Sequence, residues 1–134
     1  MPFTLIRRAT FLHRAELTPA AVPALRRILR AHLELWSLAD LSDDAALCLT
    51  ELLGNVLRHC ADDPWVAVRV QRIELGVRIE VFDTNPGPPT APLNPDHLAE
   101  SGRGLTLLAA HATRHGHTPQ ATGKCTWAEL TSSA

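Results

Sequence analysis

Lysine is almost absent from this chain: Lys124 stands alone beside twelve arginines. With alanine, leucine and proline plentiful, that imbalance points to a GC-rich genome and says nothing about mechanism. Cysteine is equally sparse. Cys48, Cys60 and Cys125 are odd in number and form no Cys-x-x-Cys pair. That excludes a disulfide framework and a zinc site and leaves buried free thiols. No apolar run approaches the roughly 20 residues of a membrane span. The opening MPFTLIRRATFLHR places its charges after a very short apolar stretch, unlike a signal peptide, so a cytoplasmic location is expected. A net charge of -1 lacks the basic footprint of a nucleic-acid binder, so neither nucleic acid nor membrane is an expected partner.

What is present describes one ordinary domain. The 134 residues are 46% hydrophobic and 20% charged, enough to enclose a core, and one domain over 1–134 is expected. Phe3 to Leu12 is rich in β-formers and predicts an outer strand. Thr18 and Pro19 announce a helix, but Pro23 moves its start towards Ala21. Leu25, Ile28, Leu29, Leu33 and Trp36 then recur at helical spacing, with Arg26, Arg27 and Arg30 on the outer side. Ser42 reads as the N-cap of a second helix, followed by Asp43 and Asp44 at its positive end and running to about Cys60. Val66, Val68, Val70 and Val77, Ile79, Val81 alternate as two strands of an antiparallel hairpin. Thr84 to Ser101 carries five prolines, so it is neither regular helix nor central strand. A loop of that length is usually functional. A short helix from Gly104 to about Ala112 and strands over Thr113–His117 and Thr122–Leu130 complete an α+β fold. The fold class expected is a two-layer α/β sandwich, with helices on one face of a mixed, mostly antiparallel sheet.

Three stretches carry chemistry. In ELLGNVLRHC the period of about 100° per residue puts Glu51, Asn55 and Arg58 in one arc, with His59 at its edge. Leu49, Leu53 and Val56 lie opposite. A carboxylate and a carboxamide one turn apart offer hard oxygen ligands to Mg²⁺; the plain alternative is an exposed polar stripe. Asp83 closes the strand VRIEVFD, where it caps a turn or accepts a hydrogen bond from a ligand amine. SGRGLTLLAAHA sets two glycines before an apolar helix, where free amides can approach phosphate. The third glycine of a dinucleotide fingerprint is missing, and so is the Gly-Lys-Ser/Thr of a P-loop. His111, His115 and His117 have no Asp, Glu or Cys near them in sequence, so a structural or solvated role is expected. Trp36, Trp65 and Trp127 are expected to be packing residues.

Together and in this order, the three stretches resemble the GHKL superfamily of ATPases and kinases, and most closely its small anti-sigma-factor serine-kinase branch. ELLGNVLRHC looks like its N-box, VFDTNPGPP its G1 box, SGRGLTLLAAHA its G2 box and GKCTWAEL its final strand. The resemblance implies a Bergerat-type fold binding ATP with Mg²⁺. Asn55 would then hold the metal, with Glu51 aiding through water and serving as general base, and Asp83 would read the adenine amino group. Gly102 and Gly104 would hinge an ATP lid, with Leu105 and Thr106 amides near the phosphates; Arg58 is a further phosphate contact and Gly87 belongs to the G1 turn. Asn85 stands where the family commonly has glycine, and asparagine tolerates that positive φ better than most residues. The implied partners are a sigma factor or an anti-sigma-antagonist protein of the STAS type, and dimers are frequent in this branch. Two activities stay open: phosphotransfer to a partner serine, and nucleotide-dependent binding without transfer. A two-component histidine kinase is disfavoured, because no segment is left for a dimerisation helix bearing a phospho-acceptor histidine.

Overall fold

Valines set two apart build the centre of the fold, because alternate residues of a strand face the same way. The computed structural model describes residues 10–59, 65–84, 108 and 110–132. Its strands are β1 (Thr10–Glu16), β2 (Trp65–Ile73), β3 (Gly76–Asp83), β4 (Arg114–Gln120) and β5 (Gly123–Thr131). They form one sheet in the order β1-β2-β3-β5-β4, and every described pairing is antiparallel. Val68 lies opposite Val81, and Val70 opposite Ile79, which in turn faces Ala128. These side chains are almost wholly buried against the helices. Each such valine or isoleucine contributes about 1.5–3 kcal/mol on leaving water.

Two helices cover that apolar face: α1 (Ala21–Leu35) and α2 (Ser42–His59). α1 starts at Ala21 as expected, where the Thr18 hydroxyl accepts the Ala21 amide at 3.2 Å and Pro23 sits in the first turn without breaking a needed bond. Val22, Leu25, Leu29 and Leu33 form its buried stripe. The helix closes at Ser37, with φ 61, where the Leu38 amide reaches back to the Leu33 carbonyl at 2.7 Å, a Schellman-type closure. α2 buries Ala45, Cys48, Leu49, Leu52, Leu53 and Val56 and packs on α1, β3 and β5. Leu49→Ala alone would cost about 2–5 kcal/mol through the cavity it leaves.

Three expectations need correcting in detail. The first strand does not end at Leu12; it runs from Thr10 to Glu16, and the earlier part of the predicted strand lies outside the described residues. β1 is an edge strand whose outward positions carry Leu12, Arg14 and Glu16; an apolar residue facing out and His13 on the inward parity hide its alternation in sequence. Ser42 is not an N-cap. A 3₁₀ turn over Ala39–Leu41 precedes it, and Ser42 already has helical angles (φ -60, ψ -42), because the turn delivers the chain to α2 in helical conformation. The fourth strand runs past His117 to Gln120 and includes Pro119. Proline, which has no N–H to donate, is acceptable there because β4 stands at the edge of the sheet formed by the described strands.

The start of α2 is placed by contacts. Near its start, the Ser132 hydroxyl donates to Asp40 at 3.2 Å, and His111 Nδ1 meets Asp44 at 2.8 Å. Ser132 follows β5, at the sheet end where Gly76 pairs with Thr131. An 18-residue helix extends roughly 27 Å at 1.5 Å per residue, about the length of β3. The last turn of α2 therefore reaches the opposite end of the sheet, where β3 finishes at Asp83 and β5 begins. Among the described residues, no helix is long and apolar enough to cross a membrane.

Candidate functional site

The interlayer is apolar until that far end. Along the central strands its buried positions are Val66, Val68, Val70, Val77, Ile79, Val81, Ala128 and Leu130. Then three polar residues share the same inward face: Asp83, Lys124 and Thr126, at 7%, 2% and 5% exposure. Asp83 and Lys124 are directly opposed in the β3–β5 register. The Lys124 ammonium donates to Asp83 Oδ1 at 3.2 Å. Lysine is almost never this buried unless paired, and the chain's single lysine is committed here. Beside the pair, the buried Thr126 hydroxyl finds no hydrogen-bond partner among the described residues, a state that costs about 1–3 kcal/mol unless something else completes it.

Gly123 makes this approach of β5 to β3 possible. Its φ is +152, and a Cβ there would lie 1.8 Å from the Asp83 carbonyl oxygen. Only glycine fits that backbone without pushing the strands apart.

The last turns of α2 arrive at the same end. Glu51 and Asn55 are half-buried and Arg58 is exposed, while Leu52, Leu53 and Val56 are buried. The polar arc is thus distinct from the packing face, as its spacing predicts. Arg58 folds back along the helix, its Nη1 lying 3.3 Å from where a Cβ on Gly54 would be. A carboxylate and a carboxamide with part of their surface in water suit a hard, partly hydrated cation.

The family model of the histidine kinase-like ATPase domain matches residues 15–130. The chain belongs to that family. No curated protein matches it. Histidine kinase-like ATPase domains bind ATP, and the two-layer α+β architecture of this chain is the one such a domain requires.

Within this histidine kinase-like domain, the expected site residues divide into two groups. Glu51, Asn55, Arg58 and Asp83 are described, and the topology brings the end of α2 and the end of β3 to one end of the sheet. Gly87, Gly102, Gly104, Leu105 and Thr106 lie outside the described residues. Lys124 and Thr126 were not singled out from the sequence as site residues. The signal was present in the lone lysine, but its meaning required the register that sets it opposite Asp83. The histidines also find an unexpected neighbour: Asp44, from α2, pairs with His111. No group of three potential metal ligands occurs among the described residues. Cys48 and Cys125 are buried free thiols. Burial, aided by nearby carboxylates, pushes each up to about 12, so both are inert packing groups. Trp65 departs from the packing role: it is 53% exposed on the outward face of β2.

That outward face has its own chemistry. Glu80 is bound by Arg69 and by Arg78 at 3.3 Å, and Arg78 also holds Glu129 at 2.8 Å. The Arg78 guanidinium lies 4.2 Å from the centre of the Trp127 ring. Burial alone would raise the Glu80 carboxyl, but the Arg69 hydrogen bond and charge, joined by Arg78, outweigh it and hold the group below the usual carboxylate range. A groove of about 410 Å³ on this side is lined by Leu12, Arg14, Trp65, Arg69 and Phe82. The same groove also touches Asp83, Thr84 and Thr122, so it reaches the strand end that carries the inward polar cluster.

Proposed function

We propose that this domain binds ATP with Mg²⁺ and acts as an anti-sigma-factor protein-serine kinase, transferring the γ-phosphate to a serine of an antagonist partner of the STAS type. The observation that carries the reading is the buried Asp83–Lys124–Thr126 cluster, which ends an otherwise apolar interlayer at the point reached by the last turns of α2. In a histidine kinase-like ATPase domain, that is where a nucleobase and its phosphates would lie between sheet and helix.

Asp83 accepts a hydrogen bond from the adenine amino group, a charge-assisted contact strengthened by seclusion from water. Asn55 would provide an oxygen ligand for Mg²⁺, with Glu51 assisting through water and Arg58 turned to phosphate; a cation held there would offset negative charge on the phosphate oxygens. On the resemblance of SGRGLTLLAAHA to the G2 box, Gly102, Gly104, Leu105 and Thr106 would serve the phosphates. Glu51 accepts the proton of the partner's serine hydroxyl as its oxygen bonds to the γ-phosphorus; the bond to the β-phosphate oxygen breaks and ADP leaves. The bound sigma factor would be released as the antagonist's phosphorylation state changes.

Incubation with labelled ATP, Mg²⁺ and candidate antagonist proteins should yield phosphoserine. Glu51→Ala should abolish transfer and leave ATP affinity within about threefold. ATP binding without any transfer would leave a nucleotide-dependent binding module in place of a kinase. A large affinity loss in Glu51→Ala would reject its assignment as the base.

A further inference from the structure

The Asp83 carboxylate does not meet a ligand alone, since Lys124 is already beside it. We propose that Lys124 is a base-reading residue. Its ammonium donates a hydrogen bond to the ring nitrogen N1 of a 6-aminopurine while Asp83 accepts one from the 6-amino group. The inference rests on the ATP-binding reading above and deepens it.

Chemistry and placement both support the assignment. An ammonium has three donors and a carboxylate accepts at two oxygens, so the two can hold each other and a ligand at once. Side by side they present a donor next to an acceptor. The pairing edge of adenine presents the complement, the N1 acceptor next to the N6–H donor. A 6-oxopurine carries the reverse pattern, with O6 facing the carboxylate and N1–H facing the ammonium, so both contacts fail together. A buried polar group left unmatched is what makes such discrimination large.

The residue type also fits. Apart from His111 with Asp44, the other described ion pairs use arginine: Arg30 with Asp43, Arg69 and Arg78 with Glu80, and Arg78 and Arg114 with Glu129. Only here does the chain use a compact single-point donor, and it sits at 2% exposure. A structural ion pair needs no further polar company. Yet Thr126, two residues along on the same face, has a buried hydroxyl with no hydrogen-bond partner among the described residues. That is a second polar group directed at the same place.

The test uses calorimetry on the wild-type protein with Mg²⁺ and four nucleotides: ATP, 1-deaza-ATP, purine riboside triphosphate and ITP. 1-Deaza-ATP keeps the amino group and replaces N1 by a C–H. It should bind about 10- to 100-fold more weakly than ATP, the range for one hydrogen bond to a charged group. Purine riboside triphosphate, lacking the amino group, reports on Asp83 separately, and ITP should bind weakest. In Lys124→Met the gap between ATP and 1-deaza-ATP should close to within threefold. If that variant fails to fold, the double substitution Lys124→Gln with Asp83→Asn removes both charges together, and the wild-type series decides in either case. Equal wild-type affinities for ATP and 1-deaza-ATP would overturn the role of Lys124 and leave ATP binding standing. No uptake of ATP at millimolar concentration would overturn both.

Discussion

Replacing Gly123 by alanine tests whether the close approach of β5 to β3 creates the polar cluster. The new Cβ would sit 1.8 Å from the Asp83 carbonyl oxygen, against 3.4 Å for ordinary contact, so the strands must part by about 1.6 Å there. An L-residue at φ +152 adds about 1–2 kcal/mol of backbone strain. One or two stretched ladder hydrogen bonds add about 0.5–1.5 kcal/mol each, giving about 1.5–5 kcal/mol in total. Domains are stable by about 5–15 kcal/mol, so the variant should fold, with its Tm lowered by about 5–20 °C. Because Lys124 is the next residue, ATP affinity should fall at temperatures where the protein is still native. Gly54→Ala is the opposing control. Its Cβ would meet only the flexible tip of Arg58 at 3.3 Å, and alanine favours a helix interior by about 1 kcal/mol over glycine. Its Tm should hold or rise by a few degrees. Scanning calorimetry with ATP titration reads both effects. A Gly123→Ala protein melting within 3 °C of wild type, with unchanged affinity, would refute the reasoning.

Other perturbations give equally definite outcomes. Cys48 and Cys125, pushed up from 9.0 to about 12 by burial, should resist iodoacetamide at pH 8 in the native protein and react on unfolding, as read by peptide mass spectrometry. Their raised folded values give a contribution complete below about pH 9 and lost between pH 9 and about 12, as the unfolded chain's thiols ionise first. Native stability measured by denaturant should therefore decline over that window, less steeply in Cys48→Ala. Glu80 has a lowered folded value, so its contribution is present above its ordinary 4.5 and disappears as pH falls through the folded value. Glu80→Gln should cost about 1–3 kcal/mol at pH 7, discounted because Arg69 is 42% exposed, and progressively less as pH falls below 4.5. Ser37→Gly should stabilise by about 1 kcal/mol, since Ser37 holds φ 61 where glycine has no steric penalty; unchanged denaturant midpoints would contradict this.

Local periodicity made α2 and the β2–β3 hairpin legible, because Leu49, Leu53 and Val56 recur at helical spacing and the valines alternate at period two. The polar arc of Glu51, Asn55 and Arg58 followed from the same geometry. β1 was misplaced because His13, Arg14 and Glu16 dilute its alternation, and an edge strand buries too little to impose a clean pattern. Ser42 looked like a cap because capping residues and first-turn residues share the same composition; only the preceding 3₁₀ turn separates them. Lys124 stayed silent for a different reason. Its meaning lies in a partner 41 residues away, and no local pattern encodes which strand a residue will oppose. Trp65 looked like core by residue type, whereas its parity in β2 turns it outward.

The arginine–glutamate ladder across Arg69, Glu80, Arg78 and Glu129 has a consequence for how the sheet assembles. A slip of one residue of β2 against β3 would swing Arg69 towards the helices, turn Val68 out to water and leave Glu80 without its cross-strand arginine. Misaligned chains would therefore lose both the oily layer and the matched charges in one step. The back of the sheet thus acts as an alignment gauge, one that permits Asp83 and Lys124 to meet only when every rung above them is correctly paired.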